Sequence, residues 1–234
     1  MVAQLLGLHG QRTGLACRDG LFLAGRQIGS GDHRHRGSGE RLLVNRAIDA
    51  AVIETGARTL ATEGLAYDRC SVAVVTNIDS RDAMPELDFV EAEQLYKLVR
   101  TQVDVVLSRG AAVLNAADPL VVRMAPLSDG EVIFYATNAT LPAIDGHRAR
   151  GGRSVHTRDG LIVLATGSEE TVLTATASVP AIAYGNEPFR IESVLAAVAA
   201  AWSLGLPPEL IRAGIEGFEP LRTTAPAEAE AAVA

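Results

Sequence analysis

The chain has 234 residues, a length that suits one large domain or one domain with a small appendage. Hydrophobic residues make up 48% and charged residues 21%, which excludes a disordered or fibrous chain and predicts a packed core. The formal net charge of −7 argues against nucleic acid as a partner, because proteins that bind the phosphate backbone usually carry a basic face.

Lysine and cysteine usage limits the chemistry that the chain can perform. The 21 positive residues include one lysine, Lys97, so a mechanism that needs lysine must use Lys97 or a lysine from another chain. Cys17 and Cys70 are too few for a disulfide framework or a paired-cysteine zinc site. No basic leader and no run of about 18 apolar residues is present, so we expect a cytoplasmic protein with no membrane segment.

Four runs rich in valine and isoleucine predict buried, mainly parallel strands. They cover residues 50–55, 71–77, 111–115 and 131–136. Between the second and third runs, the sequence predicts a helix over residues 88–103, capped by Asp88 with Glu91 three residues on. The spacing of Leu95, Leu98 and Val99 predicts that these side chains face the sheet.

A different pattern begins near residue 151. Short β-type runs at 152–156, 160–165 and 171–175 alternate with turn signals and predict an antiparallel meander over about residues 151–180. A nearly apolar helix is predicted over residues 191–204, with Gly205 as its stop, and a last helix over 208–217. Residues 221–234 are rich in Ala, Glu and Pro and are predicted to be disordered.

This order predicts an α/β fold with a mostly parallel sheet flanked by helices and a small antiparallel section. In such sheets, function lies beyond the carboxyl ends of the strands. Polar residues lie at or just after the ends of three predicted strands. They are Glu54 at the first strand, Asn77, Asp79 and Asp82 at the second, and Asn115 and Asp118 at the third. If these residues converge at one edge of the sheet, they could hold Mg²⁺ or orient a nucleotide. The alternative is that they cap the helices that follow the strands.

The glycine-rich segment of residues 31–40 places His33 and His35 two residues apart. A metal role needs a fixed geometry that such a loop does not supply, so we favour a solvated connection, with contact to an anion as another alternative. Nucleophilic catalysis has no support, because no Gly-x-Ser-x-Gly is present. The sequence also contains no Gly-x-x-x-x-Gly-Lys-Ser/Thr phosphate loop and no Gly-x-Gly-x-x-Gly opening a helix.

The chain resembles the Mur-ligase-like part of bacterial cyanophycin synthetases from its first residues to about Pro220. The resemblance rests on blocks that occur in order at residues 17–26, 31–32, 50–55, 63–70, 72–78, 112–119 and 195–205. It implies a central domain of the P-loop type, covering residues 1–220, with ATP and Mg²⁺ as cofactors. In that family, ATP activates a carboxylate as an acyl phosphate, and an amine then attacks it; in cyanophycin synthetase this module adds arginine to aspartate side chains.

The resemblance also implies roles for three residues of this sequence. Glu54 matches the glutamate associated with magnesium, Asn115 the asparagine that contacts the nucleotide, and Asp118 the second acid of an Asn-Ala-Asp-Asp-Pro motif. Other positions depart from the family: residues 56–59 read Gly-Ala-Arg-Thr for Ala-Arg-Gly-Gly. The family's polar side chains are also replaced at Ala83, Ala117 and Ser193.

The family's first strand and its lysine-bearing loop would precede Met1, so residues 2–9 are expected to form the helix that follows that loop. A third domain would follow Pro220. We therefore expect a chain that is inactive alone and that needs a P-loop-bearing or ATP-grasp partner, with a homo-oligomer and an acidic polymer substrate as further expectations. The alternative is a non-catalytic module that keeps the fold for oligomer contacts or polymer binding.

Overall fold

The computed structural model describes residues 1–183 and 189–218. The tail predicted to be disordered, residues 221–234, lies outside the described residues. The strands are β1 Thr13–Cys17, β2 Gly20–Leu23, β3 Arg26–Gly29, β4 Ala50–Ile53, β5 Cys70–Val75, β6 Val106–Asn115, β7 Glu131–Ala136, β8 Arg153–Arg158, β9 Leu161–Thr166 and β10 Glu169–Ala175. The helices are α1 Val2–Leu8, α2 Arg36–Leu43, α3 Ala57–Thr62, α4 Ala92–Val99, α5 Thr101–Asp104, α6 Pro119–Val122, α7 Pro142–Arg148, α8 Pro180–Ala183, α9 Phe189–Ser203 and α10 Pro208–Glu216.

The larger sheet has six strands in the order β10-β9-β8-β7-β6-β5. Strands β5 to β8 pair in parallel, and β8, β9 and β10 pair antiparallel. The predicted α/β class with a mostly parallel sheet is therefore confirmed. The predicted meander is also present, and it extends the parallel sheet because its first strand pairs with β7.

The strand predicted at residues 50–55 is β4, and it does not belong to this sheet. It pairs in parallel with β1 in a separate four-stranded sheet of order β3-β2-β1-β4. Residues 13–29 form two hairpins that supply β1, β2 and β3 of that sheet. At the β2–β3 turn, Ala24 and Gly25 both have positive φ, as a type I′ turn requires. The expectation that all three acid-bearing loops leave one sheet edge is therefore wrong for Glu54.

The helix predicted over residues 88–103 begins at Ala92, four residues later than expected. Glu91 is its N-cap, and Gln94 completes a capping box by accepting a hydrogen bond from the Glu91 amide at 2.8 Å. Asp88 is not the cap, because it adopts a left-handed conformation (φ 60°) after the short turn Pro85–Leu87. Leu95 is buried as predicted, whereas Leu98 and Val99 are only partly buried and Tyr96 is buried instead.

Two hydrophobic clusters cover the two faces of the larger sheet, because successive residues of a strand point to opposite faces. Val113 and Ile133 point to the cluster built with α1, α9 and α10, while Leu114 and Phe134 point to the other cluster. Helix α9 is buried against β5 to β8, as its apolar sequence predicts, and Gly205 (φ 82°) follows its end. Among the described residues, no helix is long and apolar enough to cross a membrane.

Candidate functional site

Asp118 connects the loops that follow β5 and β6 through hydrogen bonds to their backbone amides. Its Oδ1 accepts hydrogen bonds from the amides of Leu120 (2.9 Å) and Val121 (3.3 Å), which caps α6. Its Oδ2 accepts a bond from the amide of Ile78 at 2.7 Å, in the loop after β5. Both carboxylate oxygens are therefore used to hold the backbone, as the capping alternative predicts.

Asn115 is the last residue of β6 and is buried. Its Oδ1 accepts a hydrogen bond from the Ala117 amide at 2.9 Å, a local turn that directs the chain out of the strand. The amide of Ala116 is bonded to the carbonyl of Tyr135 at 2.9 Å. The position of Asn115 is thus fixed by the sheet and by its own turn.

The loop after β5 carries a shallow cavity of about 360 Å³ lined by Asn77, Asp79, Arg81 and Asp82. Asp79 accepts a hydrogen bond from the Arg81 amide at 2.8 Å and pairs with the Arg81 guanidinium at 2.6 Å. These bonds lower the pKa of Asp79 to about 2, so its carboxylate is ionised at neutral pH. The predicted polar residues of this loop therefore lie around one depression.

Glu54 lies at the end of β4, in the smaller sheet. Its Oε2 accepts a hydrogen bond from the Arg18 amide at 3.1 Å, and its Oε1 lies 3.8 Å from Nη1 of Arg34. The pKa of Arg34 is raised, first by its hydrogen bonds to Asp32 and further by the negative charges of Asp32, Glu54 and Asp82. Arg34 therefore sits where the end of the smaller sheet approaches the loop after β5.

The segment of residues 31–40 is largely exposed, as the favoured solvated connection predicts, but both of its histidines have defined partners. His35 caps α2 by accepting a hydrogen bond from the Ser38 amide at its Nδ1 (3.3 Å). Its Nε2 lies 3.0 Å from the Ser38 hydroxyl, which is 2.8 Å from Nδ1 of His33. Both imidazoles are directed at buried Ser38, so they do not form an open metal-binding pair.

Three further residues near these loops had no clear signal in the sequence. Tyr135 is buried at the end of β7 with its hydroxyl 3.5 Å from the Val75 carbonyl, and its pKa is raised by burial and then by Glu192 and Asp118. Burial also raises the pKa of Glu192, in the first turn of α9. Arg34 is the third, because nothing in a glycine-rich stretch indicates which arginine folds back onto Glu54.

The thiols and the lysine do not supply a nucleophile or a phosphate ligand at these loops. Burial raises the pKa of Cys70 to about 11 and also raises the pKa of Cys17, so neither thiol is activated. Lys97 is exposed on α4, and the neighbouring Glu93 is paired with Arg123 at 2.8 Å.

Glu54, which the resemblance associates with Mg²⁺, and the nearby candidate Asp118 do not fit that ion as they are arranged. Mg²⁺ requires near-octahedral oxygen coordination, with carboxylates free to bind it. The oxygens of Glu54 face Arg18 and Arg34, and those of Asp118 are bonded to three amides. Within residues 1–183 and 189–218, no group of three or more His, Cys, Asp or Glu side chains could hold a metal.

The chain is similar to two classes of ligase in known proteins, although no family model matches it. It is 31% identical to cyanophycin synthetase from Synechocystis sp. over 93% of this chain and 25% of that protein. It is 28% identical to the UDP-N-acetylmuramoyl-L-alanyl-D-glutamate–2,6-diaminopimelate ligase of Geobacter metallireducens, over 76% of this chain and 33% of that protein.

A solved structure of a UDP-N-acetylmuramoyl-L-alanyl-D-glutamate–2,6-diaminopimelate ligase superposes on this chain with a TM-score of 0.66 at 16% identity. The match covers 93% of this chain and 43% of that structure. The fold and these matches define a Mur ligase central-domain-like chain over about 93% of its length. Its sequence relatives include the cyanophycin synthetases, and the chain spans about a quarter of their length.

Proposed function

We propose that this chain is the central part of an ATP-dependent ligase that joins a carboxylate to an amine, of the cyanophycin synthetase kind. The similarity to those enzymes over 93% of the chain is the observation that carries the proposal. By the same relationship, the proposed acceptor is an aspartate side chain of an acidic polymer and the proposed amine is arginine. ATP is the proposed source of the activating phosphate.

The chain alone is proposed to be inactive, because such a reaction depends on electrostatic stabilisation of the phosphates. The sequence contains no lysine-bearing phosphate loop, and Lys97 is exposed on α4. The loop would come from residues outside this sequence, on the same polypeptide or on a P-loop-bearing partner.

The open strand edges support this completion by another segment. Among the described strands, β4 pairs only with β1 and β5 pairs only with β6, so each has one edge without a partner. Val52 of β4 and Val74 of β5 pack against the same hydrophobic cluster. A strand that carried the loop could pair with these edges and bring its lysine towards the loops after β5 and β6.

Titration calorimetry with ATP tests the proposal on two samples. The first is the chain alone, and the second is the chain joined to the segment that precedes the matching region in the Synechocystis protein. We expect nucleotide binding only for the joined protein, and loss of binding when the lysine of the added loop is replaced by alanine. ATP turnover by the chain alone, or a folded joined protein that binds no nucleotide, would contradict the proposal.

A second candidate is a non-catalytic module that associates with itself, with an acidic polymer or with an ATP-grasp partner. It is favoured by the bonding of Glu54, Asn115 and Asp118, whose side-chain oxygens are already directed at protein groups. This candidate predicts a stable chain that does not bind ATP, either alone or in the joined protein. It also predicts that the chain sediments as an oligomer or binds polyaspartate. A monomer with no affinity for polyaspartate or for the ATP-grasp partner would rule it out.

A further inference from the structure

Arg34 is held in one orientation beside Glu54. Its backbone amide donates to Oδ1 of Asp32 at 3.0 Å, while its Nε and Nη2 bond the same carboxylate at 3.0 Å and 2.6 Å. This two-pronged pairing leaves Nη1 pointing away from Asp32 and 3.8 Å from Oε1 of Glu54. The guanidinium is therefore aimed at Glu54 by contacts within its own segment.

The surroundings of Arg34 are acidic and come from three parts of the chain. Asp32 precedes it, Glu54 ends β4, and Asp82 lies in the loop after β5 and also acts electrostatically on Arg34. The Arg34 side chain is only 32% exposed, so its charge is less screened than that of a free surface arginine. The charge of Arg34 is thus balanced by carboxylates from three segments of the chain.

This arrangement disagrees with the magnesium that the family resemblance implies at Glu54. A guanidinium keeps its charge at any ordinary pH, and a divalent ion bound to Glu54 would lie within a few ångström of it. Like charges at such a separation disfavour each other, so the guanidinium and the ion compete for the same carboxylate.

We propose that Arg34 is the resident cation at Glu54 and takes the place of a divalent ion there. Its guanidinium balances Glu54 and joins the end of β4 to the segment before α2 without a metal. The proposal does not depend on ligase activity, because it concerns only the charge partner of Glu54 in the chain as it stands.

Titration of Mn²⁺ into the full chain, followed by calorimetry, tests this inference. Arg34→Gln removes the charge and keeps a polar side chain, whereas Arg34→Lys keeps the charge. Arg36→Gln is the matched control, because Arg36 lies in the same segment but pairs with Glu40 at 2.6 Å. Circular dichroism of each variant establishes that it is folded.

We expect Arg34→Gln to bind Mn²⁺ at least about tenfold more tightly than the unaltered chain, because a repelling charge is lost. The gain should disappear in Arg34→Gln combined with Glu54→Gln, and neither Arg34→Lys nor Arg36→Gln should show it. Equal Mn²⁺ affinity in the unaltered chain and Arg34→Gln, including no binding by either, would overturn the inference. A gain that survives Glu54→Gln would overturn it as well.

Discussion

Asp118 accepts three hydrogen bonds from backbone amides. Its contribution to the free energy of unfolding can therefore be measured without any nucleotide. We expect Asp118→Ala to lower the free energy of unfolding by about 2 to 3 kcal/mol, because it removes a helix cap and leaves the Ile78 amide without its acceptor. Asp118→Asn should cost less, since its amide oxygen can still cap α6. Urea denaturation of the chain without nucleotide measures both changes.

Asp79→Ala is the matched control, because Asp79 caps only the short turn Ser80–Asp82 and is bonded to Arg81 at the surface. Its loss should lower the free energy of unfolding clearly less than the loss of Asp118 does. A loss below about 0.5 kcal/mol for Asp118→Ala would show that the carboxylate does not hold the loops together.

At the candidate site, the sequence identifies positions but not bonding partners. Glu54, Asn115 and Asp118 could be selected because each stands at or just after the end of a predicted strand. Their direction could not be predicted, since an acceptor after a strand can face a ligand or the nearest backbone amide. Arg34 escaped prediction for the same reason, because its position against Glu54 depends on how the segment before α2 folds back.

At the scale of strands, two glycines allow β5, β6 and β7 to approach one another. A Cβ at Gly110 would lie 2.3 Å from the Ser71 carbonyl oxygen, and one at Gly130 would lie 2.4 Å from the Gly110 carbonyl oxygen. Because these neighbours are backbone atoms, the strands would have to separate. We expect Gly110→Ala and Gly130→Ala each to lower the free energy of unfolding by about 2 kcal/mol or more, measured by urea denaturation.

Gly7→Ala is the opposite case and serves as the control. Gly7 lies within α1, where a Cβ would meet no atom within 4 Å. Alanine should therefore raise the free energy of unfolding by about 0.5 to 1 kcal/mol through the helix preference alone. The explanation from close approach would be wrong if all three substitutions shifted stability in the same direction.

Elements that are nearly continuous apolar runs were predicted well, and short or half-exposed elements were not. Strand β7 has the predicted bounds, and α9 lies within two residues of its prediction, because both are nearly continuous apolar runs. Strands β1 to β3 went unpredicted, since each has only four or five residues and β3 is largely exposed. Without them, β4 had no visible partner and was assigned to the wrong sheet.

For the whole molecule, the two sheets are joined by apolar packing and by charge. Helix α1 contacts β1 and β4 of the smaller sheet and also α9 and α10, which cover the larger one. The Arg34 guanidinium lies 3.8 Å from Glu54, and its charge also interacts with that of Asp82 in the loop after β5. The nearly apolar sequence of α9 indicated that helices would be buried against a sheet. How the two sheets are placed relative to each other depends on long-range contacts, which the periodicity of the sequence does not encode.

The stability of the whole chain is expected to fall between pH 7.5 and 5.5 because burial disfavours the charged form of two histidines. Burial lowers the pKa of His156, whose side chain is fully buried with Nε2 unpartnered, and it lowers the pKa of His147, which lies against the Val132 carbonyl at 3.0 Å. The unfolded chain takes up protons at these residues near pH 6.5, whereas the folded chain does so only at lower pH. The unfolded state therefore binds more protons in this window, and the free energy of unfolding decreases as the pH falls.

Urea denaturation at pH 7.5 and pH 5.5 measures this loss. The charged groups that act on His156 are Arg148 and Arg158, which disfavour its protonation, and Glu170, which favours it. Because the pKa of Glu170 is about 2, its charge stays constant across the window, so Glu170 itself adds nothing to the change. His156→Gln should reduce the pH dependence, whereas His9→Gln, at an exposed position, should leave it as in the unaltered chain. An equal loss in His156→Gln and the unaltered chain would mean that His156 accepts its proton as readily when folded as when unfolded.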